Sequence, residues 1–153
     1  MARLEDLPPA ARQRLVDLDC PTYDARPFVT GEPLARRRVA IVTSAALMQR
    51  GERPLMAGEN TFRELPAALP AAEMVMSHIS VNYDRTGFQR DPDVVFPLER
   101  LRELAADGTI GSVADTHYSV MGANDPKAWN ELADRMVARL RQDRVDAVVL
   151  SPV

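Results

Sequence analysis

The chain has 153 residues, of which 46% are hydrophobic and 27% charged, a balance that is typical of one globular domain and excludes a disordered tail or a coiled-coil rod. Nineteen basic and 22 acidic residues give a net charge of −3, which disfavours nucleic-acid binding because phosphates require a positive field. The single cysteine, Cys20, excludes an internal disulfide and is expected to be incidental.

No targeting signal is visible in the sequence. Acidic residues stand close to the N-terminus and a Pro-Pro pair follows, which is unlike a signal peptide. No apolar run approaches the roughly 18 residues that a membrane span needs. We therefore expect a cytoplasmic protein that contacts neither membrane nor nucleic acid.

The first predicted element is a short helix with Leu15 and Leu18 on one side. Residues 19–34 contain three prolines and one glycine, which indicates an extended surface stretch. We expect residues 1–35 to form an N-terminal helix and arm, and residues 36–153 to form one α/β domain.

Apolar strands alternate with helices in the second part. Residues 39–42, 74–78 and 145–150 are apolar runs typical of buried strands. Residues 97–106 begin with proline and end shortly before a glycine, and residues 126–140 follow an aspartate and carry one apolar face, so both predict helices. The alternation predicts an α/β fold with a mainly parallel sheet flanked by helices, in a Rossmann-like or flavodoxin-like three-layer arrangement.

Polar residues stand at the ends of the three predicted strands. Ser44 follows the first strand, His78 ends the second, and Ser151 follows the third. Open α/β sheets bind ligands at the carboxyl ends of their strands, so these residues predict a site at one sheet edge. The alternative, that small polar residues merely close the strands, stays open.

Residues 77–91 are denser in polar groups than a plain connection needs. Arg85 has the geometry to fork onto a substrate carboxylate, and His78 with Asp84 could form a proton-handling pair. His78, Asp84 and His117 could also hold a metal, but their spacing is not diagnostic and we expect no metal site. An Asp–Arg network that only pins the loop is the alternative. The sequence contains neither a phosphate loop nor a Gly-x-Ser-x-Gly nucleophile motif.

Five blocks of the sequence carry a resemblance to a known family. They are Ser77-His78 with Asn82-Tyr83-Asp84-Arg85-Thr86-Gly87-Phe88-Gln89-Arg90-Asp91, Val94-Val95-Phe96-Pro97-Leu98 with Arg100-Leu101-Arg102-Glu103-Leu104, Gly108-Thr109-Ile110-Gly111-Ser112-Val113-Ala114, His117-Tyr118-Ser119-Val120-Met121-Gly122 and Asp143-Arg144-Val145-Asp146-Ala147-Val148-Val149-Leu150-Ser151-Pro152-Val153. Over residues 38–153 the sequence resembles the selenoprotein B family of glycine, sarcosine, betaine and D-proline reductases.

The resemblance implies a selenol- or thiol-dependent oxidoreductase that cleaves a C–N bond reductively. In that family a selenolate attacks the substrate carbon and expels the amino group, a partner thiol closes a selenenyl sulfide, and external thiols reduce it. The redox motif, Cys-x-x-Cys or selenocysteine-x-x-Cys, stands directly after the last strand. The sequence ends at Val153, so we expect a truncated selenoprotein with no cofactor in this chain and selenocysteine as the residue after Val153 of an extended form.

The resemblance also suggests which residues form the pocket, and residue type suggests their roles. Proton handling is expected of His78, Asp84 and His117, and substrate binding of Arg85, Ser44 and Ser151. The expected partners are a small amino-acid-like or carboxylate substrate, a thiol reductant such as thioredoxin, and either a second copy or a partner reductase subunit.

Two other functions remain open from the sequence. The first is a non-catalytic subunit that binds a small carboxylate or serves assembly. The second is a metal-dependent lyase or hydrolase.

Overall fold

The computed structural model describes residues 3–19, 22, 24, 26, 28–81 and 83–153. The chain divides into two compact units, Met1–Thr30 and Gly31–Val153. The first unit holds a 3₁₀ turn at Leu4–Asp6 and helix α1 at Pro9–Val16, and neither contains a buried residue. Cys20 lies outside the described residues. No helix in the described part of the chain is long and apolar enough to cross a membrane.

The second unit carries all the strands of the described chain and three further helices. The strands are β1 Arg38–Thr43, β2 Leu47–Gln49, β3 Phe62–Pro66, β4 Met74–Met76, β5 Ser112–Val113, β6 Thr116–Val120 and β7 Ala147–Ser151. The helices are α2 Thr86–Arg90, α3 Leu98–Ala106 and α4 Asn130–Gln142.

Strand β1 is the centre of the main sheet. Its residues 39–43 pair in parallel with β7 on one side, while β5 and then β6 pair in parallel with it on the other. Strand β3 adds to β6 in the antiparallel direction, and β2 and β4 form a separate antiparallel pair. The α/β prediction is confirmed, and the main sheet is mixed rather than purely parallel.

The sequence placed residues 74–78 in the parallel sheet, and this was wrong. The observed strand β4 is only three residues long and pairs with β2 in the antiparallel direction. A short apolar run has the same appearance in either setting, since its periodicity carries no information about its partner. His78 therefore follows a strand of the small sheet.

Alternate residues of β1 face two different cores. Val39 and Ile41 pack with α3 and the small sheet, in a core completed by Leu47, Leu65, Met74, Phe96, Leu98, Leu101 and Ile110. Ala40 packs with α4, in a core completed by Ala114, Tyr118, Val120, Leu132, Met136 and Leu140. Helices α3 and α4 therefore cover opposite faces of the main sheet. On the α4 side Val148 and Leu150 of β7 remain exposed, Leu150 by 72%.

Helix α3 begins and ends close to its predicted bounds, whereas α4 begins four residues later than predicted, at Asn130. Gly108 follows α3 with φ of +78°, a left-handed conformation that closes a helix at least cost when the residue is glycine. Asp125 accepts a hydrogen bond from the N–H of Lys127 and starts a 3₁₀ turn, Pro126–Trp129, that leads into α4. After α4, Arg144 takes the left-handed position with φ of +56°.

A network around Arg38 closes the opposite end of the sheet, where β1 begins. Its guanidinium pairs with the carboxylate of Asp143 at 2.6 Å and with that of Asp115 at 2.9 Å. It also donates to the carbonyls of Asp143 and Val113, both at 2.8 Å. These contacts join β1, the end of β5 and the end of α4.

Candidate functional site

The carboxyl ends of β1 and β6 form a crevice at one edge of the main sheet. From β1 the chain turns to the face that α3 covers, and from β6 it turns to the face that α4 covers. Neighbouring parallel strands whose connections leave to opposite faces create a switch point, which is where open α/β sheets bind ligands. We call this place the strand-end crevice.

The backbones of the two strands approach closely at the bottom of the crevice. The N–H of Gly122 donates to the carbonyl of Ser44 at 3.0 Å, and the N–H of Ala46 donates to the carbonyl of Val120 at 2.9 Å. A Cβ atom on Gly122 would stand 2.7 Å from that Ser44 oxygen. Only glycine permits this approach.

The end of β7 forms another wall of the crevice. The N–H of Ser44 donates to the carbonyl of Ser151 at 3.1 Å, and the N–H of Val153 donates to Ser44 Oγ at 2.8 Å. Two residues that the sequence assigned to substrate binding, Ser44 and Ser151, are thus in direct contact.

The crevice encloses a cavity of about 370 Å³. Trp129 is half-buried in its wall and also packs on the core beneath α4. The lining residues are Val42, Ser44, Val120, Gly122, Asn124, Pro126, Trp129, Leu150, Ser151, Pro152 and Val153. None of these described side chains is ionisable, so the cavity offers an apolar surface, one indole ring and a few small polar groups.

A strained residue links the crevice to the loop that carries His78. Ala46 has φ of +53°, a conformation that costs a non-glycine residue of the order of 1 kcal/mol or more. Both the N–H and the hydroxyl of Ser77 donate to its carbonyl at 2.9 Å. These bonds, with the one to Val120, hold the start of the loop against the strand ends.

His78 is buried at the beginning of that loop, with 7% of its surface exposed. Its Nδ1 accepts from the N–H of Ser80 at 3.2 Å, while its Nε2 is buried and has no hydrogen-bond partner among the described residues. Burial, aided by the charge of Arg85, lowers the pKa of His78. The ring is therefore neutral near pH 7 and carries its proton on Nε2.

The Arg85 guanidinium is occupied by backbone carbonyls of its own loop. It donates to the carbonyl of His78, to that of Ser80 at 3.2 Å and to that of Tyr83 at 3.5 Å. Asp84 is exposed and accepts from the N–H and the hydroxyl of Thr86, at 2.9 and 2.8 Å. Those two bonds lower the pKa of Asp84. In this arrangement both side chains organise the loop.

His117 lies in the middle of the sheet. It is fully buried in β6, where its Nδ1 accepts from the N–H of Ile41 at 3.0 Å and its ring stands edge-on to Phe96. No hydrogen bond or ring contact joins it to His78, Asp84 or Arg85 in the described part of the chain. Among the described residues, no three His, Cys, Asp or Glu side chains lie close enough to hold a metal.

A larger cavity, of about 540 Å³, lies elsewhere, between residues 68–74 and the beginning of α3. Its charged rim is largely paired internally: Arg100 with Asp93 at 3.1 Å, and Arg102 with Glu99. None of the predicted site residues lines it. The strand-end crevice is therefore the better candidate, although it is smaller.

Comparison with known proteins decides the family. The sequence profile described as "Glycine/sarcosine/betaine reductase selenoprotein B" matches residues 32–153. The chain belongs to this selenoprotein B family. The crevice, the His78 loop and the sheet all lie within the matched region.

Curated relatives in the family are subunits of reductases. The chain is 34% identical to the D-proline reductase subunit gamma of Acetoanaerobium sticklandii over 116 residues, covering 74% of this chain and 47% of the relative. It is 32% identical to the betaine reductase complex component B subunit beta of Peptoclostridium acidaminophilum over 78 residues, which is 50% of this chain and 18% of the relative.

A third relative matches along more of the chain. It is the glycine reductase complex component B subunit gamma of Carboxydothermus hydrogenoformans, 25% identical over 142 residues, covering 88% of this chain and 32% of the relative. The chain thus spans less than half the length of these relatives. No solved structure matches it.

Within this selenoprotein B chain, the sequence missed one wall of the crevice. Gly122, Asn124 and Trp129 belong to the segment that follows β6, a strand that the sequence did not predict. The available signal was the spacing of Tyr118 and Val120, which alternate with polar residues as a strand requires. Trp129 contacts both the core beneath α4 and the cavity.

Proposed function

We propose that this chain forms the substrate-pocket part of a component B subunit in a glycine- or D-proline-reductase-type complex. The observation that carries the proposal is the strand-end crevice, because it occupies the switch point of the sheet within the region that matches the family. The relatives' names support assembly with partner subunits, since they describe gamma and beta subunits of such reductases.

The substrate class we propose is a small amino acid or a related carboxylate. The indole ring of Trp129 in the cavity wall supports a substrate with an ammonium group, because the face of a tryptophan ring attracts cations. The neutral His78, whose Nε2–H has no hydrogen-bond partner among the described residues, supports a role in holding or passing a proton in the loop after β4. Arg85 reaches a substrate carboxylate only if it leaves a loop carbonyl.

The reaction class belongs to the same proposal. Reductive cleavage takes two electrons and two protons from a pair of thiol or selenol groups, gives C–H and N–H in place of C–N, and leaves a disulfide or selenenyl sulfide that an external thiol reduces. The proposal also includes selenocysteine after Val153, thioredoxin as the reductant and a cytoplasmic location. Val153 lines the cavity, so a residue joined to it begins at the crevice, which supports redox chemistry there.

The flavodoxin-like, three-layer arrangement also remains a proposal. The three parallel pairings of β1 and the placement of α3 and α4 on opposite faces support it. The antiparallel β3 and the small β2–β4 sheet are additions to such a plan.

An affinity tag on this chain allows the test in the complex as the cell makes it. The purified complex is incubated with a dithiol and, in turn, glycine, sarcosine, betaine and D-proline, and the cleaved amine product is measured. We expect dithiol-dependent cleavage of one of them, reduced at least tenfold by Ser44→Ala and unchanged by Arg37→Ala, which alters a residue outside the crevice. A complex that cleaves none of the four would contradict the proposal.

A further inference from the structure

We propose that His117 is an acid-sensitive tie of the main sheet: its neutral Nδ1 replaces a missing strand-to-strand hydrogen bond, and protonation releases it. This proposal rests on the sheet alone and is independent of the proposed function.

The tie fills a break in strand pairing. Val39 of β1 stands opposite Val113 of β5, and Val42 stands opposite Tyr118 of β6. Three residues along β1, from Val39 to Val42, thus correspond to five residues along the β5–β6 segment, from Val113 to Tyr118. Two residues of that segment therefore bulge out of the strand pairing. The N–H of Ile41 lies at this break and finds its acceptor in His117 Nδ1, at 3.0 Å. Without that acceptor it would be a buried, unpaired donor.

Only a neutral imidazole can make this bond. A proton on Nδ1 would set one N–H against another, since a charged imidazole has no acceptor. The other nitrogen, Nε2, is buried without a hydrogen-bond partner among the described residues. The ring of Phe96 stands nearly perpendicular to the imidazole at a centroid distance of 5.4 Å and supplies no conventional hydrogen-bond acceptor. The side chain is fully buried, so water cannot compensate.

The charged groups around His117 come from four parts of the fold. Asp143 after α4 and Asp115 between β5 and β6 favour the protonated form, while Arg102 of α3 and Arg38 of β1 oppose it. Burial is the largest influence, and it lowers the pKa of His117 to about 4. Because the ordinary value is 6.5, the unfolded chain binds this proton first, and stability is lost as the pH falls from 6.5 toward 4.

The consequence is a sheet that loosens at its centre as the pH approaches 4. Ile41 stands in the central strand, so losing its bond weakens the joint between β1 and the β5–β6 side. The pairing of β1 with β7 is continuous and does not use His117. We therefore expect the joint between β1 and β6 to open before the one between β1 and β7.

The first test uses NMR of the isotope-labelled protein. Imidazole nitrogen shifts should report an unprotonated Nδ1 and a protonated Nε2 for His117 from pH 7 to 5, and the Ile41 amide should exchange slowly at pH 7. A proton on Nδ1, or titration of His117 near pH 6.5 in the folded protein, would overturn the proposal. This measurement requires no variant.

The second test compares the stability of the folded protein at pH 7 and at pH 5, an interval over which the titration of carboxylates changes the stability little. His117 has a pKa of 6.5 in the unfolded chain and about 4 in the folded protein. Its protonation should therefore lower the folding equilibrium constant about 20-fold between pH 7 and pH 5. His117→Asn keeps an acceptor near the Nδ1 position and should lose this 20-fold contribution to the pH dependence of stability. His78→Asn is the matched control and should keep it. A His117→Asn protein with the full pH dependence of the wild type would refute the tie.

Discussion

Replacing Asp143 by alanine should remove the main electrostatic support of the sheet where β1 begins. The carboxylate of Asp143 receives the Arg38 guanidinium at 2.6 Å and the N–H groups of Asp115 and Thr116 at 3.0 and 3.4 Å. Without it, the charge of Arg38 keeps only the largely exposed carboxylate of Asp115, and two backbone donors lose their acceptor.

The expected loss of stability follows from how deeply the Arg38–Asp143 ion pair is buried. The side chains of Arg38 and Asp143 are 22% and 21% exposed. Exposed ion pairs contribute about 0–1 kcal/mol, and removing one partner of a fully buried pair costs about 3–5 kcal/mol. We therefore expect Asp143→Ala to lower the free energy of unfolding by about 2–3 kcal/mol at pH 7, a large share of the stability of one domain.

The assay is urea unfolding followed by circular dichroism. Arg36→Ala is the matched control, because its pair with Glu32 lies at the surface, and it should cost less than about 0.5 kcal/mol. Although burial acts to raise the pKa of Asp143, its bond with Arg38 and its backbone hydrogen bonds hold that pKa below the ordinary value of 3.8. The carboxylate therefore stabilises the fold above that pH, and the difference between variant and wild type should narrow at pH 3. A loss at pH 7 no greater than that of Arg36→Ala would refute this reasoning.

Two further changes test local features. Because Arg144 has φ of +56°, Arg144→Gly should be more stable than Arg144→Ala by about 1 kcal/mol in the same urea assay, and equal stability would show that the left-handed position carries no strain. Arg85→Ala should speed amide exchange in the loop after His78 by about tenfold, because three carbonyls lose a charged donor, whereas Arg37→Ala should not. Unchanged exchange in the Arg85 variant would mean that other contacts hold the loop.

The elements with strong local signals were predictable from the sequence. Helices α3 and α4 each carry an apolar stripe and have a defined end; α3 forms close to its predicted bounds, and α4 follows a 3₁₀ turn that begins at the predicted start. Strands β1 and β7 contain continuous apolar runs, and residues 39–43 of β1 pair with all of β7. In these elements local propensity and the final packing agree.

Strand β6 was not predicted, although its residues alternate between polar and apolar. His117 and Ser119 face the interior and accept backbone N–H groups from Ile41 and Leu47, which allows them to be buried. From the sequence alone, such an alternation indicates a strand with one face in water, and the burial of both faces is not visible. The acceptor role of His117 and Ser119 depends on breaks in neighbouring strands, which only the folded chain shows.

The candidate site was predictable in part. Ser44 and Ser151 were placed at strand ends from topology, and they meet there. The sequence could not show that Arg85 already serves loop carbonyls, since the donors an irregular loop needs depend on its path. Nor could it separate His117 from His78, because a histidine has the same appearance in a sheet centre as in a pocket.

Trp129 is the only tryptophan in the chain and lines the cavity, so its fluorescence reports directly on the strand-end crevice. The decisive measurement is a titration of the protein with glycine, sarcosine, betaine and D-proline, in parallel by Trp129 emission and by calorimetry. The account predicts that at least one of them changes the emission saturably, with the affinity seen by calorimetry, and that Ser44→Ala weakens this binding while Arg37→Ala does not. Calorimetric binding that leaves Trp129 emission unchanged and is insensitive to Ser44→Ala, or no binding of any of the four, would contradict the crevice as the substrate site.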